Sequence, residues 1–295
     1  MRIDSRPFPE MAQFQLRAAR AASGHRHGER ESRISGSGLE FADFRRYQPG
    51  DALNRVDWNV YMRLQQVYVR LFHEDRDLQV NVHLDATGSM GVGTKLDYAA
   101  NVAALLCVIG LHRRDRVLLS CIGGDEHDQS QFVRGCGVAK LPMFMKMLEG
   151  IQAHGHGSEH VQLLASSGRS KSDQSYLISD LLMDDPDLDS LMRCLSVTSK
   201  SPVLIHVIDR ADVTLNLRRH IDAIDVETGV RLKLAGNSEL QKAYQNEVTD
   251  WLDRVQRAAN RYRVRYVVGS THTSARDLLL GPLRNAGLLQ SRVST

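Results

Sequence analysis

From residue 78 onward, two hydrophobic patterns take turns along the chain. Short runs rich in Val, Ile and Leu recur: LQVNVHL (78–84), DRVLLSCIGG (115–124), SYLISDLL (175–182), PVLIHVID (202–209) and VRYVVGS (264–270). Their length and β-branched content predict buried strands. Between them lie longer segments with helical character. KLDYAANVAALLCVIGLHRR (95–114) is rich in Ala and Leu and ends on basic residues, KLPMFMKMLEGI (140–151) follows, and DPDLDSLMRCLSV (185–197) opens on acidic ones. Acidic first turns and basic last turns match the helix dipole. ELQKAYQNEVTDWLDRVQRAANRY (239–262) predicts a long amphipathic helix, and TSARDLLLGPLRNAGLL (273–289) a closing one. QFVRGC (131–136) reads as a short strand, and GHGSEHVQLLASSG (155–168) opens on glycines with Ser158 as a candidate N-cap. In IDAIDVETGVRLKLAG (221–236), Thr-Gly separates two alternating runs, which predicts a β-hairpin.

Alternating strands and helices imply right-handed crossovers and a mostly parallel sheet covered on both faces. The expected fold is therefore α/β and Rossmann-like. The first 77 residues read differently. PEMAQFQLRAARAA (9–22) predicts a short helix, and GHRHGERESRISGSG (24–38) is a polar Gly/Ser-rich arm or loop. LEFADFRRYQPGDALNRVDWNVYMRLQQVYVRLFHED (39–75) mixes aromatics, arginines and aspartates, with no clear period until VYVRLF. The expected division is an N-terminal arm and signature segment at 1–77, packing on an α/β domain at 78–295 that carries a hairpin near 221–235.

Composition changes this picture little. The 295 residues are 42% hydrophobic and 25% charged, with a net charge of +3, ordinary for a globular protein. No nucleic-acid partner is indicated. The arginines at 17–46 are interspersed with acids, and Arg254, Arg257, Arg261, Arg263 and Arg265 read as helix-end and solvated charge. Cys107, Cys121, Cys136 and Cys194 form no CxxC pair, so neither a disulfide framework nor a zinc site is expected. His154, His156 and His160 lack the patterned spacing of a structural zinc site, and His83 and His206 read as sheet histidines. The N-terminus has no apolar signal region, and the longest apolar stretch, AANVAALLCVIGL (99–111), is short for a membrane span. A cytoplasmic protein without a membrane span is the expectation. No GxxxxGK[ST] loop or GxSxG elbow is present.

The candidate chemistry sits where the first core strand ends: Asp85-x-Thr87-x-Ser89. Asp180 ends a later strand, and parallel sheets bind ligands beyond the carboxyl ends of their strands. With Ser158 between them, Asp85, Thr87, Ser89, Ser158 and Asp180 form an all-oxygen set suited to a hard cation, Mg2+ or Mn2+. Neutral hydroxyl ligands leave such an ion short of negative charge and receptive to a partner's carboxylate. A second reading is phosphoryl transfer. The corner D-x-T-G-S resembles the D-K-T-G-T corner of the haloacid dehalogenase superfamily, with Asp85 as nucleophile, Ser179-Asp180-x-x-x-Asp184 as the magnesium motif and Lys171 as the neutralising cation. Against it, position 87 lacks the aspartate general acid of the common phosphatases, and no capping domain follows the corner. A third reading treats the corner as turn and capping chemistry alone.

Three stretches together resemble a bacterial family, domain of unknown function 58, related to von Willebrand factor type A domains. They are GSGLEFADFRRYQPGDALNRVDWN (36–59), DATGSM (85–90) and LISDLL (177–182). The resemblance runs from roughly residue 15 to roughly residue 285. It implies a metal-ion-dependent adhesion site, with Asp85, Thr87 and Ser89 matching Asp-x-Ser-x-Ser, Ser158 standing where a Thr is usual, and Asp180 as the final aspartate. It also implies a non-enzymatic interaction module partnered with a MoxR-type AAA+ ATPase in assembly or maturation of a client protein. Within the signature, Arg45, Arg46 and Arg55 with Asp51 and Asp57 suggest a charge network, and Tyr47, Pro49 and Trp58 suggest apolar contacts.

Overall fold

The computed structural model describes residues 2–17, 39–51, 53, 56–74, 77–123, 132–154, 171–214, 221–224, 231–234 and 237–291. Two compact units emerge: Met1–Ala21 together with Leu78–Thr295, and Ala22–Asp77.

The larger unit is built on a six-stranded sheet of order β11-β8-β7-β4-β5-β6. Its strands are β4 (Gln79–Asp85), β5 (Arg116–Ile122), β6 (Phe132–Gly135), β7 (Gln174–Ser179), β8 (Pro202–Ile208) and β11 (Arg265–Ser270). All neighbours are parallel except β6, which pairs antiparallel with β5 at the edge. Period-2 alternation sends the side chains of each central strand to opposite faces. Val80, Val82, Leu84, Tyr176, Ile178, Val203, Ile205 and Val207 join one core, and Leu177 and Leu204 join the other. Both faces are covered, which is why these strands read as continuous apolar runs.

The first core is filled by α3 (Lys95–His112), with Phe144 and Leu148 of α4 (Leu141–Gly150). Alanines at 99, 100, 103 and 104 let α3 lie close to the sheet, and the helix is buried nearly all round. Among the described residues, α3 alone is long and apolar enough to cross a bilayer, at a mean hydropathy of 1.2, yet 78% of it is buried inside the fold. The second core sits under α5 (Asp185–Thr198) and α7 (Ser238–Arg261). The hairpin pairs β9 (Ile221–Ile224) with β10 (Arg231–Leu234).

The chain ends differ from the sequence expectation. Within 9–17, the described part of the helix expected over 9–22, the helix is α1 (Phe8–Met11). Phe14–Leu16 then forms β1, antiparallel to β12 (Leu289–Ser291). Phe14 and Leu16 are buried with Gln15 between them, so the strand period overrides the helix-forming composition. The closing helix is also shorter. After α8 (Ala275–Leu278) it widens into a π turn at Leu279–Leu283, where Pro282 has no N–H to give.

In the smaller unit, β2 (Leu39–Arg46) pairs antiparallel with β3 (Tyr68–Glu74), with a register shift between Phe41 and Asp43. The Asp57 carboxylate caps α2 (Trp58–Leu64) by accepting the amides of Asn59 and Val60. Of the expected charge network, Arg45 pairs with Asp51 at 2.8 Å, while Arg46 donates to Gln66. Arg55 lies outside the described residues. Trp58 stacks edge-on with Tyr61 yet stays exposed.

Candidate functional site

Strand β4 carries Asp85 to the carboxyl edge of the sheet, and its neighbour β7 carries Asp180 to the same edge. The chain beyond Asp85 is pinned on both sides. The Ala86 amide donates to Ile122 O at 2.7 Å, and Ala86 O accepts from the His154 amide at 2.9 Å. Gly123 permits this approach. Its φ is +100°, and a Cβ there would stand 2.8 Å from the Ala86 carbonyl and 2.9 Å from the Thr87 amide. Gly123→Ala is therefore expected to cost about 1–3 kcal/mol, from left-handed backbone strain plus displacement of the loop. Denaturant unfolding measures it; a change below about 0.5 kcal/mol, the usual range for surface substitutions, means the loop tolerates the side chain.

Around this corner the side chains form a connected chain of oxygens. Asp85 Oδ1 accepts the Thr87 amide at 2.9 Å, and Oδ2 accepts the Ser179 hydroxyl at 2.5 Å. Thr87 Oγ1 lies 3.1 Å from Ser89 Oγ, which donates to Asp180 Oδ1 at 3.2 Å. The other Asp180 oxygen takes the Lys95 ammonium at 2.6 Å. Asp85, Thr87, Asp180 and Lys95 are buried, whereas Ser89 is half-buried and forms the opening. Two carboxylates out of water repel one another: burial first, then Asp85, push the Asp180 carboxyl above its ordinary value, and Lys95 opposes them.

The backbone that presents Asp180 is held from below. Leu181 adopts φ 54°, unusual for a non-glycine residue, with its side chain fully buried and its amide donating to Ser179 Oγ. His206 Nε2 lies 3.1 Å from Asp180 O, and Nδ1 lies 2.7 Å from the Tyr266 hydroxyl. A carbonyl only accepts, so Nε2 carries the proton and Nδ1 accepts from Tyr266. Burial pushes the imidazole down to about 4, which keeps it neutral.

The structure thus brings together Asp85, Thr87, Ser89 and Asp180. Ser158 lies outside the described residues, as do Glu159, His156 and His160. His154 is described, and its ring contacts Gln152. Among the described residues, no group of three or more His, Cys, Asp and Glu is arranged to hold a metal, so the described donors to a cation here are two carboxylates and hydroxyls. The donor set fits a hard cation on that basis. Ligand oxygens about 2.1 Å from magnesium in an octahedron are about 3.0 Å apart along each edge. The successive spacings of 3.1 and 3.2 Å through Thr87, Ser89 and Asp180 approach that value. Of the phosphoryl-transfer reading, Asp85, Ser179 and Asp180 meet at this corner, whereas its cation does not join them. Lys171 donates to Ser196 O from the exposed, amino-terminal end of β7, and Asp184 stands at the N-cap of α5.

Three roles escaped the sequence reading of the site: Ser179, read there as part of a magnesium motif, is the tether of Asp85; Lys95, read as the cation nearest the corner in sequence, is the buried partner of Asp180; and His206, read as a sheet histidine, bonds the Asp180 carbonyl. Their signals were faint ones: a serine closing an apolar strand, a lysine opening an apolar helix, and a histidine inside a strand.

An α/β sheet with a carboxylate–hydroxyl cluster at its carboxyl edge defines the class of this protein. The chain belongs to the family described as Protein of unknown function DUF58, which matches residues 43–254. Relatives include the uncharacterized proteins Mb1516 of Mycobacterium bovis and Rv1480 of Mycobacterium tuberculosis, each 34% identical over 97 residues. That match covers 32% of this chain and 31% of each relative. Similar solved structures include a conserved hypothetical protein, BatB, from Bacteroides thetaiotaomicron, with a TM-score of 0.40 and 10% identity over 72% of this chain and 98% of that one. Another is the SpRpn10 VWA domain, with a TM-score of 0.38 and 11% identity over 69% of this chain and 94% of that one.

Proposed function

We propose that this chain is a non-enzymatic, metal-dependent protein-interaction module of von Willebrand factor A type. Asp85, Thr87 and Ser89 would hold Mg2+ or Mn2+, with Asp180 and Ser158 acting directly or through water. The observation that carries this reading is the run of oxygens from Thr87 through Ser89 to Asp180 at near-octahedral spacing, with Thr87 and Asp180 buried and Ser89 half-buried. When bound, the ion supplies a coordination position that a partner carboxylate completes. Val92 and Leu182 offer apolar surface beside it. Both are exposed, and their amides bond to Ser89 O and Asp180 Oδ1. The family resemblance supports a MoxR-type AAA+ ATPase as the partner, acting in the cytoplasm on assembly or maturation of a client.

The corner supports a binding role over a phosphohydrolase one: position 87 is a threonine, not the aspartate that would serve as general acid. The test uses the full chain and a purified MoxR-type ATPase. Binding is expected in millimolar Mg2+, to disappear with chelator, and to weaken about tenfold or more in Ser89→Ala, since losing one ligand of a metal or its support commonly costs that much. Binding that ignores both chelator and the substitution rules the reading out.

A further inference from the structure

Lys95 opens α3 with its side chain buried, an unusual place for an ammonium. The amino end of a helix carries partial positive charge, so the helix itself disfavours a cation there. What holds it is acidic. Nζ lies 2.6 Å from Asp180 Oδ2 and 3.5 Å from Asp212 Oδ1. Asp212 sits on the short helix α6 (Arg210–Val213), where its Oδ2 accepts the Asp209 amide. The ammonium therefore takes one oxygen of the same carboxylate whose other oxygen takes the Ser89 hydroxyl.

We propose that Lys95 is a tethered counter-cation of this site. It balances Asp180 in the metal-free protein, competes with the divalent ion for that carboxylate, and keeps Asp212 as its partner when the ion binds. The proposal rests on the metal-site reading above. It gives the site weak intrinsic affinity, so that metal occupancy depends on whatever else favours the ion, a partner's carboxylate above all. Four charges share the cluster: the carboxylates of Asp85, Asp180 and Asp212 and the Lys95 ammonium. A dication arriving beside a fixed ammonium meets a repulsion that an apolar residue would not exert.

The experiment is a calorimetric titration of Mg2+ and Mn2+ into wild type, Lys95→Met and Lys95→Arg, with thermal melts in chelator and in excess Mg2+. Removing the charge is expected to tighten metal binding by about tenfold or more, while Lys95→Arg stays close to wild type. In chelator, Lys95→Met should melt below wild type, and Mg2+ should raise its midpoint by more than it raises that of wild type. Lys95→Gln, which keeps a hydrogen bond to Asp180 without the charge, replaces Lys95→Met if the latter does not fold. Metal binding by Lys95→Met alone, with none in isolated wild type, supports the counter-cation, because the ammonium then suppresses a site that a partner's carboxylate would complete. Equal or weaker binding by a folded Lys95→Met overturns the counter-cation and leaves the metal-site reading standing. No binding by any of the variants overturns both.

Discussion

Asp180→Ala is expected to lower stability in chelator by about 3–5 kcal/mol, the range seen when one partner of a buried ion pair is removed. The substitution strands the Lys95 ammonium in the interior, with Asp212 at 3.5 Å as its remaining ion-pair partner among the described residues. It also takes the acceptor from the Ser89 hydroxyl. Relief of the repulsion between Asp180 and Asp85 offsets part of this loss, because that repulsion raises the Asp180 carboxyl in the folded state. The stranded charge dominates, since both members of the pair are almost wholly out of water and solvent does not screen them. The double variant Asp180→Ala/Lys95→Met is expected to recover most of the loss, because replacing both partners of a buried pair with apolar groups is often neutral. Guanidinium unfolding of wild type, both single variants and the double variant gives the coupling directly. A loss below about 1 kcal/mol in Asp180→Ala would place the pair among the weak surface bridges and undo the description of the site as charge-balanced.

This network explains what the sequence could and could not reveal. Strands β4, β5, β7 and β8 were legible because a sheet buried on both faces needs continuous apolar runs. The corner was legible because three oxygen-bearing residues fall at alternate positions after such a strand. Asp180 followed from topology alone, since neighbouring parallel strands end at one edge. Lys95 did not follow. Its pairing with Asp180 spans 85 residues and depends on where α3 begins relative to β7, which no local pattern encodes. Ser179 was invisible as a tether for the same reason: its partner Asp85 is 94 residues away. The β1–β12 pair was missed because Phe14–Leu16 is three residues long within an Ala- and Arg-rich stretch that favours a helix. Strand pairing across almost the whole chain overrode that local preference.

Asp85→Asn separates metal binding from architecture. The amide keeps the size of the carboxylate, and its oxygen still accepts the Thr87 amide. Its NH2 group meets Ser179 Oγ, which already accepts the Leu181 amide and now accepts a second time, leaving its own proton without Asp85 as acceptor. The corner keeps its shape at the cost of that bond. What else changes is charge: one of the two buried carboxylates becomes neutral, and Asp180 loses the neighbour that repels it. The unpaired Ser179 proton costs about 1–3 kcal/mol and relief of the repulsion on Asp180 offsets part of it, so stability in chelator is expected to fall by no more than about 2 kcal/mol. Divalent-cation binding is expected to weaken by about a hundredfold or more. Magnesium relies on one or two carboxylates, and the remaining one, Asp180, is already shared with Lys95. Calorimetry and melting on the same preparation read the two effects separately. Lost stability with unchanged metal affinity would assign Asp85 to the architecture of the corner alone. Lost affinity with stability inside that limit assigns it to the ion, and the tether from Ser179 then serves to hold a ligand in place.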